Sequence, residues 1–243
     1  WQVAKDFCKV NTLYPDYSPN LSFNEIKKQL ENTLHKYRLD HWKIRISDNC
    51  VSDVSVNKHH EIILKNQISL KQNHLKALIR HEIETHVFRL ENAKLQNYRI
   101  WQRGTAGYLQ TEEGLAIFQQ NQLPIPLGEK IYWPAWRLMG VILGLKMGFK
   151  DLFWILQSEY NLSPESAWKT AVKVKRGYEN TAQVGAFSKD AIYFLGYQEV
   201  KTFWEQANLE DKKALYSAKM KISDLDLWKS LNHQVGKFFP SNL

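Results

Sequence analysis

The sequence predicts a mainly helical α+β fold with a small antiparallel β-sheet, and three observations predict it. Between residues 70 and 103 no Pro or Gly interrupts the chain, and Leu75, Leu78, Ile79, Ile83, Val87 and Leu90 recur on roughly one helical face. Three short β-like runs, WKIRIS at 42–47, VSV at 54–56 and EIILK at 61–65, all fall in the first third of the chain. The remainder carries helix start and stop signals.

Taken in order, residues 23–37 place Ile26, Leu30, Leu34 and Tyr37 at helical spacing. Asn57-Lys58-His59-His60 reads as a hairpin turn between the second and third β-like runs, although it lacks an Asn-Gly pair. The long helical pattern then runs from about 70 to 96. Gly104 and Gly107 mark a loop, and a helix is expected to start at Thr111, with Thr111 as its N-cap. The LPIPLG segment at 123–128 is a connector. Further helices are expected at 134–147, 149–160, 164–176, 189–206, 210–220 and 224–233. Ser163 caps the third of these and Pro164 takes its first helical position. With no internal repeat and no dividing linker, residues 1–243 read as a single domain, β-containing over about 1–66 and helical over about 67–243.

Composition narrows the function classes. At 44% hydrophobic and 13% aromatic, a chain of 243 residues can bury a core and is not a disordered segment. Thirty-three Lys plus Arg against 25 Asp plus Glu leave +8, which favours an anionic partner without naming one. The basic residues are spread out and no nucleic-acid-binding motif accompanies them, so no nucleic acid is expected. Cys8 and Cys50 are the only cysteines, which fits a reducing compartment, the cytoplasm, and rules out a thiolate zinc site. The most apolar stretch, 133–156, contains Arg137, Lys146, Lys150 and Asp151, too many charges for a membrane span. The chain opens WQVAKDF, with neither an initiator Met nor an apolar leader, which leaves a preceding segment open.

The chemistry-bearing segment is His81-Glu-Ile-Glu-Thr-His86. Zinc peptidases use HExxH, which stacks two His one turn apart with the Glu as general base. Here the spacing is one longer. On an ideal helix, positions i and i+5 diverge by roughly 140°, so His81 and His86 meet only if the turn is widened, as in a π-bulge. Two surface histidines with acidic neighbours read the same six residues otherwise. Thr111-Glu-Glu-Gly-Leu-Ala116 offers the third ligand of a His₂Glu set. Glu112 and Glu113 are rivals for that place, and Glu113 is preferred because it alone begins an E-x-x-A pattern. Acids in a first helical turn also complement the macrodipole, which accounts for both without a metal.

HEIETH followed by TEEGLA about thirty residues on resembles the microtubule-associated tyrosine carboxypeptidase family and its bacterial relatives with a QEGLA motif. Arg89 and Asn92, with Gln96 following, match the family pattern after the second His. Residues Arg176 to Gly196 match R-G-x3-T-x3-G-x-F-[ST]-K-D-x2-Y-x2-G. Each motif is weak alone, and the three in order are specific. Two departures stand out: Glu84 replaces the usual Gly of HEIGTH, and the segment before Asn180 is short.

The resemblance implies a zincin-like metallopeptidase with one Zn²⁺ per chain held by His81, His86 and Glu113, and with Glu82 as the general base. It implies removal of a C-terminal Tyr or other aromatic residue from an acidic peptide or protein tail. A carboxypeptidase needs a cation for the terminal carboxylate, for which Arg is best suited. Among Arg89, Arg103, Arg176 and Lys189, the block holding Arg176, Lys189 and Tyr193 is favoured, with Tyr193 also able to donate to an oxyanion. Lys189-Asp190 following a Ser188 cap, and Tyr193 in the core, are the plainer alternatives. His59-His60 are expected to be solvated. Strand 61–65 is a candidate to pair with extended substrate. A zinc-peptidase-like binding module is the alternative to an enzyme, and Glu82, which binding alone does not require, favours the enzyme.

Overall fold

The computed structural model describes residues 1–10, 14–50 and 52–243. It is an α+β structure, mainly helical with small sheets. The N-terminal helix α1 (Gln2–Val10), not expected from the sequence, buries Ala4 and sets Phe7 against Tyr132, Phe194 and Tyr197. Helix α2 (Phe23–Lys36) starts from a capping box, in which Ser22 Oγ accepts from Glu25 N–H and Glu25 Oε2 from Ser22 N–H. Its Ile26, Leu30 and Leu34 are buried, as their spacing predicts.

Five strands follow in chain order: β1 (Asn20–Leu21), β2 (Lys43–Ser47), β3 (Val54–Val56), β4 (Glu61–Lys65) and β5 (Leu70–Lys71). β1 and β5 form a two-stranded antiparallel pair. The three-stranded sheet has the order β2-β4-β3. β3 and β4 form the expected hairpin, whose turn is held by Asn57 Oδ1 accepting from His59 N–H and Glu61 N–H. The expected antiparallel sheet is corrected to a mixed one: β2 runs parallel to β4. β3 pairs with β4 on the side away from β2. β4 is therefore central and has no free edge for a substrate strand. β2 and β3 are the edge strands.

The long helical pattern becomes α3 (Gln72–Leu78), a nine-residue π-helix (Ile79–Val87) and α4 (Phe88–Ala93). The expected widening between His81 and His86 is present. Thr85 Oγ1 donates to Arg80 C=O and the Phe88 N–H reaches Ile83 C=O, both five residues back. It forms with Glu84 in place of Gly, and Glu84 accepts from the Tyr37 hydroxyl and pairs with Arg80. The helix ends at Ala93 rather than 96, followed by the short α5 (Arg99–Arg103). Arg89, Asn92 and Gln96 bind backbone of residues 216–220 and 234–238, so they clamp the C-terminal segment to this helix.

Helix α6 (Tyr108–Asn121) starts three residues before Thr111, from Gly107 at φ +80°. Thr111 is thus inside the helix and buried, and its Oγ1 accepts from Ile222 N–H instead of capping. The helices α7 (Trp133–Gly144), α8 (Phe149–Ser158), α9 (Pro164–Lys175) and α10 (Ala191–Gln206) follow close to expectation, with Ser163 accepting from Ser166 N–H as the α9 cap. The last two, α11 (Leu209–Ser217) and α12 (Leu225–Ser230), are shorter than expected. Where α6 crosses α10 the backbones touch: a Cβ on Gly114 would lie 2.1 Å from the carbonyl carbon of Gly196. Those glycines belong to the EGLA and Y-x2-G motifs, so the two motifs meet in space.

One apolar core joins α2, the sheet, the π-helix and the C-terminal helices, and another is built around α7, α8 and α9. Among the described residues no helix is long and apolar enough to cross a membrane.

Candidate active site

The π-helix and α6 bring the expected ligands together. With the turn widened, His81 and His86 point to one side, their ring centroids 5.0 Å apart. Glu113 Oε2 lies 3.8 Å from His81 Nε2 and 3.7 Å from His86 Nε2. One ligand atom from each of His81, His86 and Glu113 can be chosen so that all three lie within 4.8 Å of one another.

The remaining ring nitrogens are occupied. His81 Nδ1 sits 3.1 Å from Gln120 Oε1, and His86 Nδ1 sits 3.3 Å from Glu112 Oε1. In the neutral ring, an oxygen acceptor at Nδ1 favours the proton there and turns the Nε2 lone pair toward Glu113, an arrangement typical of metal-ligating histidines. The two rival glutamates take different places. Glu113 faces both Nε2 atoms, whereas Glu112 supports His86 from behind and pairs with Arg89 at 3.2 Å.

Burial sets the acid–base character of the group. It pushes the Glu82 carboxyl up to about 7, with the Glu113 charge adding to the effect and His86 opposing it. Glu113 is raised by burial as well. Burial lowers His81 to about 3, and the His86 charge lowers it further. His86 moves the other way: burial pulls it down, but the Glu112 hydrogen bond and the charges of Glu113, Glu82 and Glu112 outweigh that and push it up to about 9. Burial would raise Glu112 too, yet Arg89, the His86 hydrogen bond and Lys219 hold it well below the usual carboxylate range. The two histidines differ because one rests on a neutral amide and the other on a carboxylate.

These residues line a cavity of about 470 Å³. Residues 52–58, which include the open-edged strand β3, line it too. Trp133, Arg137, Lys173, Arg176 and Tyr193 form a basic and aromatic part of its wall. Arg176 and Tyr193 thus share the cavity with His81, His86, Glu82 and Glu113. Lys189 does not line it; it is exposed on the single 3₁₀ turn Ser188–Asp190, and its charge reaches Glu113 only at range. Arg103 is exposed and also outside the cavity wall, while Arg89 is fully buried and already bonded. His59 is exposed, as expected for the turn, and His60 is half-buried against His41 and Trp42. Sequence reasoning missed Arg137, Lys173, Asp190 and Gln120. For Arg137 a signal existed: a cation near the start of the apolar stretch 133–156. The others had none.

A widened HExxxH turn and an EGLA helix place two histidines and one glutamate where they could hold a metal ion, with a further glutamate beside them, on an α+β fold. The chain belongs to the microtubule-associated tyrosine carboxypeptidase family, whose model matches residues 1–235. It is 26% identical over 254 residues to the human protein named "Putative tyrosine carboxypeptidase MATCAP2", covering 94% of this chain and 48% of the relative. It is 27% identical over 208 residues to the mouse protein of that name, covering 78% and 39%. It is 29% identical over 186 residues to mouse microtubule-associated tyrosine carboxypeptidase 1, covering 70% and 38%. The chain therefore spans about half the length, or less, of these relatives.

Proposed function

We propose that residues 1–243 are a single zincin-like catalytic domain, a zinc-dependent carboxypeptidase that removes a C-terminal residue from a peptide or protein tail. The relatives' names, tyrosine carboxypeptidase and microtubule-associated, extend this reading to a terminal Tyr and to a substrate at microtubules, and the reading places that work in the cytoplasm. The +8 charge suits an acidic tail. The observation that carries the reading is the meeting of His81, His86 and Glu113 across a π-helical turn, with Glu82 beside them.

The donor set fits zinc: two imidazole nitrogens and one carboxylate oxygen, each imidazole backed by an oxygen acceptor. Bound there, zinc supplies Lewis-acid polarisation of the scissile carbonyl and acidification of the attacking water.

The chain's own residues do the rest. Glu82 takes the proton from the attacking water and delivers it to the leaving amine. The Tyr193 hydroxyl, which burial keeps protonated, is a donor for the oxyanion. β3 offers an open backbone edge along the cavity to an extended peptide, the role first assigned to strand 61–65.

The test is mass spectrometry of peptides with varied C-termini after incubation with zinc-loaded protein. Loss of a single terminal residue, favoured when it is aromatic, is expected. Intact peptides across the whole panel would leave a binding module in place of an enzyme.

A further inference from the structure

Asp190 is 1% exposed at the start of α10 and ties two cations of the cavity wall together. Its Oδ2 accepts from Arg137 Nη1 at 2.5 Å, and its Oδ1 accepts from Arg176 Nη2 at 2.6 Å. Each carboxylate oxygen is taken by a different guanidinium, so two like charges that would separate are held side by side. Each guanidinium also lies over a ring, Arg137 at 5.1 Å from the Trp133 centroid and Arg176 at 4.0 Å from that of Phe187. The backbone at Arg176 is fixed in turn, because Lys175 Nζ donates to the carbonyls of Gly144, Met147, Gln183 and Gly185.

Charge counting then points outward. Two guanidiniums against one carboxylate leave +1, in a wall where the Arg137 side chain is only 17% exposed. Lys173 in the same wall adds to that excess. Poorly hydrated charge is stabilised by a partner of opposite sign. Each guanidinium carries five N–H donors, of which the Asp190 contacts use one apiece, so both have donors left for a second planar anion.

We propose that Arg137 and Arg176, tied by Asp190, jointly seat the substrate's terminal carboxylate, with Arg137 a specificity-determining residue and Asp190 a positioning residue. This rests on the carboxypeptidase reading. A peptide α-carboxylate is a planar monoanion with two acceptor oxygens. It balances the single excess charge of the Arg–Asp–Arg group and repeats the pairing that Asp190 makes from within. The Glu82 and His–His–Glu cluster lines the same cavity, where the amide of that terminal residue would be cut.

The experiment uses zinc-loaded Glu82→Gln protein, which binds peptide without turning it over, and peptide pairs that differ only in a free or amidated C-terminus. Fluorescence anisotropy gives Kd for each. The parent is expected to prefer the free acid. Arg137→Gln should weaken free-acid binding by roughly 10- to 100-fold, the range for charge-assisted hydrogen bonds, and leave the amidated peptide unchanged. Arg137→Lys should recover only part of that loss, because an ammonium keeps the charge without the planar fork. Asp190→Asn should lower the free-acid preference while zinc content stays at one per chain; thermal denaturation shows whether it folds, and the Arg137 variants stand without it. A free-acid preference that survives Arg137→Gln overturns this proposal and leaves the carboxypeptidase reading intact. A zinc-bound parent with no preference for the free acid overturns that reading instead.

Discussion

The cavity wall has an acidic part and a basic part, and they are put together differently. His81, Glu82, His86, Glu112 and Glu113 come from two helices whose nearest ends, Val87 and Tyr108, are only 21 residues apart in sequence, and helical periodicity decides which of them share a face. Arg137, Lys173, Arg176 and Tyr193 come from α7, from α9 and its C-terminal cap and from α10, and they converge through tertiary contacts, chief among them the buried carboxylate of Asp190. A site written into local periodicity is legible before folding. A site written into packing is legible only after it.

If the acidic part holds the metal and the basic part holds the substrate, variants in the two must fail differently. The largest effect belongs to the ligands. His81→Ala or Glu113→Ala should lose zinc and hydrolysis together, because one of three protein ligands disappears. Chelation of the wild-type protein should do the same, with activity restored by added zinc. Arg176→Gln should keep its zinc. Metal content measured beside turnover decides it, and full zinc occupancy in His81→Ala would remove His81 from the ligand set.

Glu82→Gln comes next. Gln keeps the shape but cannot accept the water proton, so turnover should fall by about 10²- to 10⁴-fold with zinc retained. Turnover equal to the wild type would mean that Glu82 is not the base.

The same contrast explains what could be read from the chain. The need for a widened turn followed from i,i+5 spacing, and the π-helix supplies it. The ExxA argument preferred Glu113 to Glu112, and the structure puts Glu113 on the Nε2 side and Glu112 behind His86. Thr111 misled because its residue type suits a cap, yet Gly107 in the left-handed region starts the helix a turn earlier and buries Thr111 against Ile222. β2 misled because a run of residues states that a strand exists and says nothing of which neighbour it takes or in which direction. Arg89, Asn92 and Gln96 were legible as a motif, but their work, clamping residues 216–220 and 234–238, lies more than a hundred residues away.

A third prediction sharpens the comparison on the stability side. Arg89 is fully buried and pairs with Glu112, which in turn supports His86. Arg89→Met would leave Glu112 buried with less countercharge and orphan the Ala218 and Met220 carbonyls. Breaking one side of a buried pair costs about 3–5 kcal/mol, to be read by urea denaturation. Arg137→Gln, in a cavity wall open to water, should cost far less. Similar losses for both would erase the distinction between a structural and a ligand-facing arginine.

The smallest effect concerns Lys173, and its sign differs between stability and binding. Burial, followed by the charges of Arg137 and Arg176, lowers Lys173 to about 8, with Asp190 and Asp53 opposing. Its folded pKa is thus below the unfolded value of about 10.4, so folding discourages the charged form. The strain of holding that charge is fully present below about pH 8 and is relieved as pH rises toward 10.4, so this group makes stability climb over that window. Carboxylate binding prefers the charged form, so affinity should fall as pH passes about 8. In the Glu82→Gln background, Kd for the free-acid peptide should rise by less than about tenfold between pH 7 and 9.5, because a half-exposed ion pair is worth about 1 kcal/mol at most. Lys173→Met should lack that limb while keeping whatever the other groups contribute, and the amidated peptide should show little of it in either protein. An identical alkaline limb in both proteins would take Lys173 out of the carboxylate seat and leave the seat to Arg137, Arg176 and Asp190.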